Sequence, residues 1–215
     1  MKLMSTAFTD LAPIPAEFAF CAPDPATHVT LSKNLSPDFA WQDLPAGTRS
    51  LALLCHDPDV PSEATDVNQE GRTIPASLRR IDFYHWVLVD IPATLPGIAR
   101  GAFSDSVTAR GKPGPSGPHG TRQGVNDYTL WFGGNADMSG DYYGYDGPCP
   151  PWNDVALHRY YFYVFALKKE FTLADFPNAK DGLISAKDVP LAITPYILAK
   201  GSVMGTYTLN PDLKK

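Results

Sequence analysis

Proline interrupts this chain too often for long regular helices. Pro13, Pro15, Pro23, Pro25, Pro37 and Pro45 divide residues 1–48 into short extended pieces, because proline has no N–H to donate and fixes its own φ. Across 215 residues there are 21 prolines and 17 glycines, a mixture that suits short strands with many turns and long connections. With 44% hydrophobic and 12% aromatic residues a substantial core is still available, since a chain of this length buries about 70% of its unfolded surface. One domain over residues 1–215 is the expectation, because all-β sandwiches reach this size.

Three runs read as strands of the main sheet. Ser50–Cys55 is short and mostly apolar, fits a buried position, and should end at His56-Asp57-Pro58, where Pro58 and Pro61 stop ladder bonding. In Asp82–Pro92, alternation places His85, Val87, Val89 and Ile91 on one face and Tyr84, Trp86, Leu88 and Asp90 on the other. In His158–Leu167, His158, Tyr160, Phe162 and Val164 face one way, while Arg159, Tyr161, Tyr163 and Phe165 face the other. A further strand is expected around Ser36–Trp41 and a last one over Ser202–Leu209. Leu183–Asp188 and Pro190–Lys200 read as short helices, the second with Pro190 in its first turn, Gly201 as its cap and an interruption at Pro195. The fold class that follows is mainly β: an antiparallel two-sheet sandwich with a few short peripheral helices.

Two connections, Ser62–Ile81 and Ser104–Asp141, exceed the ordinary loop length. In the second, Gly111, Gly114, Gly117 and Gly120 recur every third residue. So few triplets cannot hold a collagen helix, and a flexible surface loop is expected. The net charge of -5, without any basic run, excludes a nucleic-acid footprint. Cys21, Cys55 and Cys149 are odd in number and widely spaced, matching neither a disulfide framework nor a zinc pattern. With no apolar signal region at Met1–Thr6 and no stretch of about 18 apolar residues, a cytoplasmic protein without a membrane span is expected.

Three segments at strand ends carry candidate chemistry. In Asp57-Pro58-Asp59-Val60-Pro61 two carboxylates project from a backbone stiffened by proline. Gly147-Pro148-Cys149-Pro150-Pro151-Trp152 is similarly stiff, and Gly147 can bring a bare backbone N–H close to a ligand. His158-Arg159-Tyr160 sends His158 and Tyr160 towards one cavity and Arg159 to the far side, where it forms ion pairs. His85 opens its strand in the same way. Each segment alone has an ordinary structural explanation; together they suit a phosphate or carboxylate better than a cation. Asp57 fits that set if it orients a histidine and favours imidazolium, or if the anion's field protonates it.

At these residues the chain resembles the phosphatidylethanolamine-binding protein family, which includes the Raf kinase inhibitor protein, and most closely its bacterial and archaeal branch. The resemblance rests on Asp57-Pro58-Asp59-Val60-Pro61, Tyr84-His85-Trp86-Val87, Gly147-Pro148-Cys149-Pro150-Pro151 and His158-Arg159-Tyr160. It is supported by Leu44–Leu53, Gly124-Val125-Asn126-Asp127-Tyr128 and Gly205-Thr206-Tyr207. It implies a two-sheet antiparallel sandwich with an anion pocket at one end, built from Asp57, Pro61, His85, Gly147, His158 and Tyr160. In the family this pocket accepts phosphate-like groups, including the phosphoethanolamine head group, and some members regulate a kinase or protease. Animal members carry paired histidines where this chain has Tyr84-His85, and the C-terminal helix flanking their pocket is not clearly matched here.

The function expected is therefore non-catalytic binding of a small anionic or phosphorylated ligand, with a kinase or protease as the possible protein partner and without cofactor or metal. On this reading binding weakens as pH rises through about 6.5, where an unperturbed histidine loses its charge. The alternative is a hydrolase with Cys149 as nucleophile and His158 or His85 as base. Against it, no Gly-x-Ser-x-Gly, Walker A or His-Glu-x-x-His motif occurs.

Overall fold

The computed structural model describes residues 1–176, 179 and 183–213. Its strands are β1 (Lys2–Met4), β2 (Cys21–Asp24), β3 (His28–Leu31), β4 (Phe39–Gln42), β5 (Ser50–Pro61), β6 (Arg80–Pro92), β7 (Gly97–Ile98), β8 (Arg122–Gln123), β9 (His158–Leu167) and β10 (Ile197–Tyr207). Two short helices, α1 (Tyr128–Trp131) and α2 (Asp188–Ile193), join them. A five-stranded sheet in the order β10-β9-β5-β6-β8 packs with a three-stranded sheet, β1-β4-β7, and the β2-β3 hairpin. All of these pairings are antiparallel.

The central strand β5 is apolar on both faces because both faces are covered. Leu51, Leu53 and Cys55 point into the sandwich core, where Phe39, Trp41, Trp86, Tyr145 and Phe162 meet them. Ala52 and Leu54 point into a second core, closed by Phe171, Phe176, Ile184, Val189 and Ile193 from the C-terminal segment around α2. Each leucine buried this way contributes about 2 kcal/mol. Strand β9 has the boundaries and facing expected of it, with Tyr160, Phe162 and Val164 in the sandwich core and Phe165 on the second.

Strand β6 departs from simple alternation. Cys55 pairs with Trp86 and His56 with Tyr84, so His85 is an extra residue with no partner on β5. Leu53 pairs with Leu88 and Leu51 with Ile91, and Asp90 in that second irregularity has φ +59°. A bulge lets neighbouring residues share a side and resets the alternation after it. His85 and Ile91 therefore do not share a face with Val87 and Val89, which lie in the second core while Trp86, Leu88 and Ile91 lie in the first.

Three expected boundaries shift as well. Strand β5 does not stop at Pro58: it continues to Pro61 through a further register break between Asp57 and Val60. Leu183–Asp188 is not a helix, since Ser185 bridges Val125 and Ile184 accepts the Val125 N–H. Pro190–Lys200 divides at Pro195: α2 gives way to a 3-10 turn at Thr194–Tyr196, and Ile197 already begins β10. The last strand thus starts five residues earlier than Ser202, paired along β9 from Leu167 onward.

The glycine-rich segment is packed rather than free. A Cβ on Gly111 would lie 2.2 Å from the Asp141 carbonyl oxygen, and one on Gly114 would lie 2.2 Å from the Tyr143 ring. The cysteines also correct the sequence reading: Cys21 and Cys149 form a disulfide, leaving Cys55 free and buried. Two cysteines in the two-sheet core region came together only through the fold, and such bonds are rare in reducing cytosol. No helix among the described residues is long and apolar enough to cross a membrane.

The disulfide closes a loop with a sequence separation of 128, which in the chain-entropy limit stabilises the fold by about 5 kcal/mol. A Cys21→Ser/Cys149→Ser variant is expected to unfold at a markedly lower urea concentration than the wild type. An unchanged midpoint would contradict this assignment.

Candidate functional site

At one end of the sandwich lies a cavity of about 250 Å³ with a polar floor and apolar walls. β5 contributes Asp57, Val60 and Pro61, β6 contributes Phe83 and His85, and β9 contributes His158 and Tyr160. The two long connections supply part of its walls: Val67 and Asn68 from the first, and Tyr128, Trp131, Phe132 and Met138 from the second. Asn153 holds the first wall in place, donating to the Asp66 and Arg72 carbonyls at 2.8 and 3.1 Å. The Cys21–Cys149 disulfide, Pro150-Pro151, Phe20 and Leu31 complete the lining.

Two of the three breaks in the pairing of β5 with β6 serve this floor. The bulge at His85 turns its ring towards Tyr160, with ring centroids 5.1 Å apart. The irregularity after Asp57 lets its Oδ1 accept the Asp59 N–H at 2.8 Å while Oδ2 accepts from His158 Nδ1 at 2.6 Å. Tyr160 lies close enough to Asp57 that the carboxylate charge adds to burial in pushing its phenol pKa well up. On the other side of the imidazole, Nε2 donates to Asp154 Oδ2 at 3.2 Å. Asp154 in turn accepts both arms of Arg80, Nη2 reaching Oδ1 at 2.9 Å. Arg159 lies outside, as its position on the strand requires, and forms a bidentate pair with Asp59 at 2.7 and 2.8 Å.

These contacts set opposite charge states for the two histidines. Burial opposes charge on His158, but the Asp57 charge and the hydrogen bonds to Asp154 and Asp57 outweigh it and raise its pKa to about 9. His158 is thus an imidazolium between two carboxylates. For His85 burial dominates, and the pull of Asp57 does not offset it, so its pKa falls to about 4. His85 Nδ1 lies 2.8 Å from the Asp146 carbonyl oxygen. A carbonyl can only accept, so Nδ1 carries the hydrogen of the neutral ring and Nε2 is an acceptor. That Nε2 is buried and has no protein partner.

Five of the six residues carried over from the resemblance line the cavity: Asp57, Pro61, His85, His158 and Tyr160. Gly147 does not, because it lies behind the wall and its N–H donates to Asn34 Oδ1 at 2.8 Å. Two of the donors foreseen for a ligand are engaged inside the protein: both His158 N–H groups point at carboxylates, and the Gly147 N–H points at Asn34. Neither histidine changes charge near pH 6.5, so neither supplies the pH dependence expected there. Cys149 is tied to Cys21 and offers no thiolate, which removes it as a nucleophile. Among the described residues no cluster of three or more His, Cys, Asp or Glu is placed to hold a metal ion.

Sequence reasoning missed Asp154, Arg80 and Asp146. Asp154 and Asp146 sit in irregular backbone, where no periodicity marks a facing, and Arg80 opens β6 after a long connection. The only available hint was the spacing of four between Asp154 and His158, which has no geometric meaning outside a helix.

Comparison with known proteins agrees with this architecture. A family model described as Phosphatidylethanolamine-binding protein matches residues 4–208. A UPF0098 protein of Aquifex aeolicus is 32% identical, the match covering 85% of this chain and 80% of the relative. One from Methanothermobacter thermautotrophicus is 30% identical over 96% of this chain and 98% of its own. Among solved structures, the phosphatidylethanolamine-binding protein homologue CT736 of Chlamydia trachomatis superposes with a TM-score of 0.60 at 25% identity, covering 96% of this chain and 95% of that one. E. coli YbcL, described as a new member of the mammalian PEBP family, shares the fold with a TM-score of 0.65 at 23% identity, covering 96% and 97%.

The two histidines predict opposite pH limits. With a folded pKa of about 9 against about 6.5 unfolded, His158 stabilises fully below pH 6.5, and that contribution is lost as pH rises to about 9. With a folded pKa of about 4, His85 contributes fully above pH 6.5 and loses its contribution as pH falls towards 4. Each limb is on the order of 3 kcal/mol. Urea unfolding across pH 4–9 should show both losses, and imidazole NMR should find His158 protonated and His85 neutral at pH 7. A histidine titrating near 6.5 at either position would refute that assignment.

Proposed function

Because the chain belongs to the phosphatidylethanolamine-binding protein family, we propose that it is a non-catalytic binding protein that takes a small phosphate-like or phosphorylated head group into the cavity of Asp57, His85, His158 and Tyr160. The observation that carries this reading is the buried His158 imidazolium beside an unpartnered His85 Nε2 on the floor of one cavity. The cation offsets the negative charge of Asp57 and Asp154, so an anion entering meets a floor close to neutral once Arg80 is included. The apolar walls leave little competing water, which strengthens polar contacts at the floor. Nothing on the floor is poised as a nucleophile: Cys55 is buried with its thiol pKa pushed well up by burial, and Cys149 is oxidised.

Titration calorimetry with phosphoethanolamine at pH 5.5 tests the proposal. Wild type should bind, and His85→Ala, which removes the unpartnered acceptor without removing a charge, should bind at least tenfold more weakly. Equal affinity in the two would sink the assigned cavity. Phosphorus NMR of the same mixture should show the ester intact after prolonged incubation, whereas released phosphate would overturn the non-catalytic reading.

A further inference from the structure

We infer that Lys112 and Asp146, behind the cavity wall, are positioning residues that lock His85 as a hydrogen-bond acceptor, so the cavity admits an oxyanion only in a form that brings its own proton. This rests on the head-group reading above and names the ionic form of ligand that the site selects.

The lock is built from named contacts. The Asp146 peptide pairs with His85 in both directions: its N–H donates to the His85 carbonyl at 3.0 Å, and its own carbonyl accepts from His85 Nδ1 at 2.8 Å. The Asp146 carboxylate, fully buried, is what holds that peptide still. It accepts from Asn34 Nδ2 at 2.7 Å, from Asn126 Nδ2 at 2.8 Å and from Lys112 Nζ at 3.0 Å. Lys112 is nearly buried too, and its ammonium also reaches Ser104 Oγ and the Tyr145 carbonyl. Asn34 clamps the next peptide as well, accepting the Gly147 N–H. A buried carboxylate missing its cation is costly enough to rearrange such a network, so Lys112 is the residue on which the ring's orientation depends.

The consequence lies on the cavity side. The titratable groups around His85 are Asp57 and Cys55 from β5, His158 and Tyr160 from β9, and Tyr128 from α1, with Asp146 and Lys112 behind. None of them gives a hydrogen to Nε2. The His158 hydrogens go to Asp57 and Asp154, and the Tyr128 hydroxyl donates to the Gly147 carbonyl. A fully ionised tetrahedral anion would set lone pair against lone pair at Nε2. A phosphate monoester monoanion donates its P–OH there and keeps its remaining oxygens for the rest of the floor. The second ionisation of such esters lies near pH 6, so binding weakens at higher pH because the ligand, and not a histidine, loses the proton.

Nitrogen-15 NMR and calorimetry on the full chain test this. In wild type, His85 should show the Nδ1–H tautomer. Methyl phosphate at pH 5.5 should bind at least tenfold more tightly than sulfate or dimethyl phosphate, and its affinity should fall about tenfold per pH unit above about 6. Lys112→Met should shift the His85 tautomer signals and erase the preference over sulfate, and Lys112→Arg should restore both. An Nε2–H signal in wild type overturns the inference whatever the ligands do, so the test stands even if Lys112→Met fails to fold. Sulfate binding as tightly as methyl phosphate overturns it while leaving the head-group reading in place. A folded Lys112→Met with unchanged tautomer and selectivity removes Lys112 from the role. Binding of none of the three anions defeats the head-group reading and the selectivity built on it.

Discussion

The site depends on one buried cation. The His158 side chain is 1% exposed, as are those of Asp57 and Asp154 on either side of it. Removing one partner from such a group leaves an uncompensated charge and costs about 3–5 kcal/mol. The bond to Asp57 joins β9 to the irregular end of β5, and the bond to Asp154 fastens the segment leading into β9. Arg80, at the start of β6, completes the set through Asp154. Three strands of the main sheet and one connection are thus tied together at the cavity floor by charges that cannot be separated cheaply.

That arrangement changes what the polar residues offer. A histidine opening an aromatic strand looks like a donor aimed outward, and the sequence reading took both histidines that way. In the fold His158 is charged but has directed its hydrogens at the protein, while His85 is uncharged and presents a lone pair. The cavity is therefore less a cationic trap than a nearly neutral floor with one specific unmet need. Part of its apolar wall comes from the two connections that sequence alone marked only as unusually long.

The legible parts of the fold were those governed by local chemistry. His158–Leu167 alternates cleanly over its whole length, and the structure has the same strand with the same facing. Asp82–Pro92 had an equally clear pattern, but two bulges rearrange its faces, and a bulge leaves no mark in apolar periodicity. The His85 bulge is also what turns that ring into the cavity. Pro195 did signal a break; the sequence reading kept helix beyond it, where pairing with β9 made strand. Cys21 and Cys149 lay too far apart in sequence for any spacing rule to join them.

By itself the sequence determined the mainly β character and the strand cores, since these follow from proline placement and side-chain alternation, while the short list of cavity residues came from the family resemblance. Only tertiary structure decided the protonation of the two histidines, the disulfide, the exclusion of Gly147 and the roles of Asp154, Arg80, Asp146 and Lys112. Those outcomes depend on burial and on partners brought from remote parts of the chain. Charge in a low-dielectric interior is set by what lies within a few ångströms, and in this chain those neighbours are assembled by packing rather than by order along the sequence.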